Sequence, residues 1–215
     1  MKFVSLDDFL DDVAPEVPGC PIFTMQDRIR WAAIEFCKNT GVSVDTTDSI
    51  DLEANEEELA LPTPSGDVRV WQVLWMKTEY GPVLELDRRS MNERGIEWDG
   101  LTGDYPLSYV RKSNEVVQLI PMPTVDRVGA LTIHCSYIPT RDADRLDAVL
   151  LDEWREAIVS GALSKLLNMS KEDWYDPSEA RERGMMFSIY QSEARALADK
   201  DFSVGEQHVR MNPFA

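Results

Sequence analysis

The chain has 215 residues, of which 43% are apolar, enough to bury a sizeable core and too many for a disordered tail. Its 39 acidic and 22 basic residues leave a formal net charge of −17, which excludes simple nucleic-acid binding through a basic face, because such a surface repels phosphate backbones. No apolar run approaches ~18 residues, and MKFVSLDDFLDD lacks a basic region followed by an apolar one. Neither a membrane span nor a signal peptide is expected, and the chain is expected to stay where it is made.

In chain order, Ser5 with Asp8 three positions on predicts a helix N-terminus, and Leu6, Phe9, Leu10 and Val13 give a short helix one apolar side before Pro15 stops it. Asp7, Asp8, Asp11 and Asp12 fall mostly off that side and read as a solvated face. Pro21 then opens a longer helix with the stripe Ile22, Met25, Ile29, Ala32, Ala33 and Phe36, which Gly41 ends. From Val42 the helical period disappears and a sheet begins, with Glu57 to Leu61 as a short strand entering the turn PTPSGD. In Val68 to Met76, Val68, Val70 and Leu74 alternate with Trp71, Val73 and Trp75; with both faces apolar this strand is expected to be central or sandwiched between layers. Val83 to Leu86 follows the turn Tyr80-Gly81-Pro82, and a polar connector leads to Ile96 and Trp98. Tyr105 to Arg111 and Val116 to Ile120 form a hairpin around Lys112-Ser113-Asn114, ended by Pro121 and Pro123. Val128 to Tyr137 closes the set, with Leu131, Ile133, Cys135 and Tyr137 on a buried face and Thr132, His134 and Ser136 on a wetter one.

Leu146 to Leu166 carries the clearest helical signal, since Leu146, Leu150, Trp154, Ile158, Ala162 and Leu166 recur every four positions. Gly161 and Ala162 lie mid-stripe, where small residues let another backbone approach closely. Asp176 as N-cap, Pro177 in the first turn and Glu179 as a capping-box-like partner open a last helix to about Lys200, with the stripe Ala180, Gly184, Phe187, Tyr190, Ala194 and Leu197. The two helices are expected to form an antiparallel hairpin packed through Trp154, Gly161, Ala162, Gly184 and Phe187. The expected architecture is therefore α+β: a discontinuous helical bundle of residues 1–44 and 141–200, with an inserted antiparallel β-domain of about six strands at 45–140. Residues 201–215 have no helical period, yet carry Phe202, Val204, Val209, Met211 and Phe214, more apolar residues than a solubilising tail needs, and are read as an extended arm.

No catalytic, cofactor or metal site is predicted. The glycines lie singly in turns with no phosphate-binding pattern, and His134 and His208 neighbour no serine elbow or second ligand. Cys20, Cys37 and Cys135 are odd in number and unpaired in spacing, and are expected to be buried small hydrophobes. Asp45, Asp48, Asp51, Glu53 and Glu56 to Glu58 lack the every-second-residue pattern and central glycine of a calcium loop, and read as a solvated face.

The helix LLDEWREAIVSGALSKLL with the loop to Trp174, Pro177 and Ala180, the early AAIEFCKNTG helix, and LPTPSGDVRVWQVLW together resemble the head-to-tail adaptor (connector) proteins of tailed bacteriophages, over about Pro21 to Lys200. The resemblance implies a helical bundle with an inserted β-domain, assembled as a ring, commonly dodecameric, beneath the portal. Such a ring lies in the virion neck, extends the DNA channel, lets DNA pass without specific binding, and offers a docking surface for the tail. It implies synthesis in the bacterial host cytoplasm, portal and tail proteins as partners, and an arm whose Phe202, Val204, Val209, Met211 and Phe214 reach the portal. The acidic charge is then expected to line the channel. Two other readings stand beside it: a different binding or tail-completion module that uses the β-domain as a platform, and a carboxylate-dependent hydrolase.

Overall fold

A computed structural model describes residues 1–93 and 100–200. The chain enters through β1 (Phe3–Ser5) and a 3-10 turn at Leu6–Phe9, followed by α1 (Leu10–Val13) and a second turn at Ala14–Glu16. The Ser5 hydroxyl accepts the Asp7 N–H at 3.2 Å while the Asp8 carboxylate accepts the Ser5 N–H at 3.0 Å, a reciprocal capping box. Next comes α2 (Ile22–Thr40), with Pro21 as its N-cap and Gly41 ending it in the left-handed region at φ 69°. Met25, Ile29, Ala32, Ala33 and Phe36 are buried, but Ile22 is 59% exposed: in the first turn it lies beyond the packed part of the helix.

The strands β2 (Val44–Leu52), β3 (Glu58–Ala60), β4 (Val68–Thr78), β5 (Gly81–Pro82) and β6 (Leu84–Glu85) lead to α3 (Arg88–Glu93). Then follow β7 (Thr102–Gly103), β8 (Ser108–Arg111), β9 (Val116–Ile120), β10 (Met122–Pro123), β11 (Arg127–Pro139) and β12 (Arg145–Asp147). They build two four-stranded sheets, in the orders β2-β11-β4-β5 and β3-β9-β8-β6, and two small pairs, β1-β12 and β10-β7. The pairing is mostly antiparallel, but β6-β8 and β10-β7 are parallel, so the set is not the purely antiparallel one expected. The strands β2, β5, β7, β10 and β12 add to those that periodicity marks. The two larger sheets share one apolar core, in which Val70, Met76, Leu131, Ile133, Cys135 and Tyr137 of the first meet Tyr109, Val117 and Leu119 of the second.

Strand β4 departs from the two-sided expectation. Its pairing with β11 slips between His134 and Cys135 and again between Ser136 and Tyr137, and each bulge resets which residues face inward. Val68 and Val70 point into the sheet core, then Val73, then Met76, whereas Leu74 and Trp75 are 44% and 41% exposed. Only Trp71 reaches across to pack on the helical core.

Three helices follow among the described residues: α4 (Ala148–Asp152), α5 (Arg155–Leu166) and α6 (Pro177–Ala198). The predicted Leu146 to Leu166 helix is therefore three elements. Leu146 pairs with Val4 in the β1-β12 ladder, Asp147 caps α4 by accepting the Val149 N–H, and the chain leaves helical geometry at Trp154 (φ −122°, ψ 22°) before α5 begins. The stripe survives the breaks, because Leu146, Leu150, Trp154, Ile158, Ala162 and Leu166 are all buried in one helical core with Phe9, Ile29 and Phe36. The Asp176 carboxylate caps α6, accepting the Ser178 and Glu179 N–H groups at 3.0 Å, while Glu179 accepts from Arg183 at 2.8 Å. Of the predicted α6 stripe, Ala180, Phe187 and Ala194 are buried, Gly184 and Tyr190 are half-buried, and Leu197 is exposed.

The helical and sheet cores touch through β11. Tyr137 lies in the sheet core and its hydroxyl donates to the Pro62 carbonyl at 3.1 Å; Ile138, the next residue, lies in the helical core. Asp147 marks a second junction, where the Ser43 hydroxyl donates to its carboxylate at 2.7 Å. Burial pushes the Asp147 carboxyl above the usual carboxylate range, against the lowering effect of Ser43, the Val149 N–H and the N-terminal amine. The folded state thus holds this proton more tightly than the unfolded chain does. Its contribution to stability is full below the ordinary aspartate pKa and is lost as pH rises through the raised one. Asp147→Asn keeps an acceptor but cannot ionise, so its stability relative to the parent is expected to improve between about pH 4 and about pH 7. Urea midpoints at both pH values test this; a constant difference would refute it.

Candidate docking surfaces

The residue types that could do chemistry are dispersed. His134 Nδ1 lies 2.7 Å from the Thr46 hydroxyl and its ring stacks on Trp75 at 5.2 Å, so it sits on the outer face of the sheet. Asp45 pairs with the N-terminal amine at 3.0 Å, Asp51 accepts the Gly129 N–H at 2.7 Å, and Glu57 and Glu58 share Lys112. Asp48, Glu53 and Glu56 are exposed. Among the described residues no three His, Cys, Asp or Glu side chains converge as metal ligands would, and no helix is long and apolar enough to cross a membrane. Cys20, Cys37 and Cys135 are free and buried; burial pushes the Cys135 thiol up to about 11 and Cys37 higher still, so neither offers a thiolate near neutral pH.

The helices instead present close packing on one side and open surface on the other. A Cβ on Gly161 would stand 2.8 Å from a Phe187 ring carbon and 3.0 Å from the Ala32 Cβ, so three helices meet there. Phe36 lies between Trp154 and Phe187, with ring centroids at 5.5 and 6.0 Å. Ala162 is fully buried beside them. Gly184 differs: a Cβ there would meet only the Ser164 Cβ at 3.8 Å, an ordinary contact, so the close approach expected at this second glycine is absent. Away from the bundle, α6 leaves Met185 57% and Ile189 49% exposed, one turn apart, with Met186 beside them. The run MMFSI carried that signal, since it places apolar residues around more of the helix than one stripe uses.

A second feature went unread in the sequence. A groove of about 780 Å³ runs between the outer face of the β2-β11-β4 sheet, the last turn of α2 and the C-terminal half of α6. Trp71 and Leu74 line its sheet side, Lys38 its α2 end, and Gln191 and Arg195 its α6 wall. Lys38 Nζ lies 5.2 Å from the Trp71 ring centre, a cation–π contact. Periodicity assigns Trp71 and Leu74 to buried faces; they are the extra residues of two bulges in β4, which leave Leu74 exposed and Trp71 half-buried against the helical core. The predicted arm residues Phe202, Val204, Val209, Met211 and Phe214, like Ile96, Trp98 and His208, lie outside the described residues.

Exposed helix faces and an open groove around packed cores are surfaces suited to docking a partner. The chain belongs to the SU10 adaptor protein family, whose model matches residues 4–213. Membership gives it a structural adaptor role in a bacteriophage and makes it a virion component. No curated protein matches the chain.

Proposed function

We propose that the protein is the head-to-tail adaptor of its phage: a ring, dodecameric in the virion, that sits under the portal, extends the DNA channel and provides the docking surface for the tail. The observation that carries this reading is the open face of α6, where Met185, Met186 and Ile189 stand exposed on a helix whose other side is packed tightly, in a chain of an adaptor family. A ring closes through heterologous contacts, so each copy needs an apolar patch that its own fold leaves uncovered. In this reading α2, α5 and α6 form one helical bundle of residues 1–44 and 141–200, with α5 and α6 as its antiparallel hairpin and residues 45–140 as the inserted β-domain. The paired positions Gly161 with Phe187, Ser164 with Gly184 and Glu156 with Tyr190 support the hairpin, since one number rises as the other falls.

The arm, residues 201–215, reaches the portal through Phe202, Val204, Val209, Met211 and Phe214. The family match runs on to residue 213, so most of this segment belongs to the family's own pattern. Acidic side chains face the channel and let DNA pass without adhering. Electron microscopy of the protein mixed with its portal is expected to reveal rings on the portal, and deletion of 201–215 is expected to abolish attachment. A truncated chain that still decorates portals would remove the arm from this account; a basic lumen would remove the channel charge from it.

A further inference from the structure

We propose that the groove between the sheet, α2 and α6 is the seat of the chain's own residues 201–215 in the free protein, and that portal binding draws the segment out. The second half rests on the adaptor reading; the first does not.

Four observations support this occupant. Ala198 and Asp199, at the end of α6, line the groove, so the described chain ends at its rim. A tethered segment there acts at millimolar effective concentration, and at ~3.3 Å per extended residue it can span the groove. Second, the segment carries Phe202, Val204, Val209, Met211 and Phe214, which need cover, while Leu74 on the groove floor is 44% exposed. Third, the groove-lining residues Ser136 and Gln191 hold a buried Oγ and Nε2 with no hydrogen-bond partner. Buried polar atoms are nearly always partnered, and a turn of either side chain toward the groove would let an entering peptide backbone supply the partner it lacks. Fourth, the groove gathers two cations, Lys38 and Arg195, against one anion, Asp199, in a chain of net charge −17. The segment offers Asp201 and Glu206 against Arg210. A volume of about 780 Å³ lies within the range of ligand-sized sites, so it takes part of the segment, and the rest runs along the sheet surface.

The test uses the full chain with the photocrosslinker benzoylphenylalanine in place of Phe202. Irradiation of dilute protein, followed by mass spectrometry, is expected to join position 202 to peptides containing residues 38–44 or 71–74 of the same chain. Leu74→Glu combined with Arg195→Glu is expected to lower that yield at least about fivefold, whereas Leu74→Met retains it. Both side chains are exposed, so an unchanged melting curve is expected to accompany the loss. Crosslinks confined to α6, scattered over the surface, or insensitive to the double substitution would overturn the proposal. Crosslinks that appear only between chains and grow with concentration would also overturn it, assigning the groove to a neighbour's segment. Portal attachment by the double variant is a separate readout. Retained or faster attachment with the crosslink lost fits both proposals, while a crosslink present in a chain that binds no portal refutes the adaptor reading and leaves the groove assignment standing.

Discussion

Phe187→Ala is expected to destabilise the chain by about 3–5 kcal/mol, the usual cost of emptying a buried aromatic site. The ring is nearly buried, stands against Phe36, and fills the space where Gly161 lacks a side chain. The glycine on the other side of that contact makes the sharper test. Gly161→Ala gains about 1 kcal/mol of helix propensity but drives a methyl to 2.8 Å from an aromatic carbon and 3.0 Å from the Ala32 Cβ, neither of which is the free end of a flexible chain. Overpacking of this kind costs about 1–3 kcal/mol, so the net effect is a loss. Gly184→Ala meets only ordinary contact at 3.8 Å and keeps the propensity gain, so it is expected to stabilise by up to about 1 kcal/mol. Urea unfolding of the three variants measures the signs. Two alanine variants that stabilise alike would mean that α5 and α6 do not meet closely at Gly161.

On the proposed adaptor reading, Met185→Asp with Ile189→Asp is expected to prevent ring formation while leaving the folded monomer within about 0.5 kcal/mol of the parent, because both side chains are already in water. A charge placed at the centre of an apolar contact costs about 2 kcal/mol or more, and a closed ring incurs that cost at every interface. Sedimentation and negative-stain microscopy on portals would register the loss. Salt provides an independent handle. In the proposed twelvefold ring about 200 formal negative charges would gather, so on that reading screening is expected to tighten assembly of the parent chain. Rings that form with both aspartates in place, or assembly that is faster at low salt, would move the subunit contact off this helix face or off an apolar mechanism.

The residues that would be buried were more legible than the path that buries them. All six residues of the Leu146 to Leu166 stripe are in the helical core, but a spacing of four does not say whether Leu146 arrives there on a helix or on a strand paired with Val4. The decision came from Asp147, whose short carboxylate caps a new helix rather than continuing an old one. In β4 the alternation was readable and its phase was not, since β4 itself carries an extra residue at each of two bulges, Leu74 and Trp71, and which residue is left unpaired depends on the register with β11. The acidic strand β2 hides its β character because only its contact side is apolar enough to register; Ile50 and Leu52 reach the core while Asp48 and Asp51 face water. The groove was invisible for a related reason: its walls come from three parts of the chain, and its floor from residues that periodicity assigns to an interior.

Tyr137 and Ile138 anchor in different cores across a single peptide bond. A displacement of the sheet at this junction is therefore carried into the helical core through one peptide bond. A part built this way behaves as a strut, so strain applied at one end of the molecule is felt at the other as displacement of the whole body.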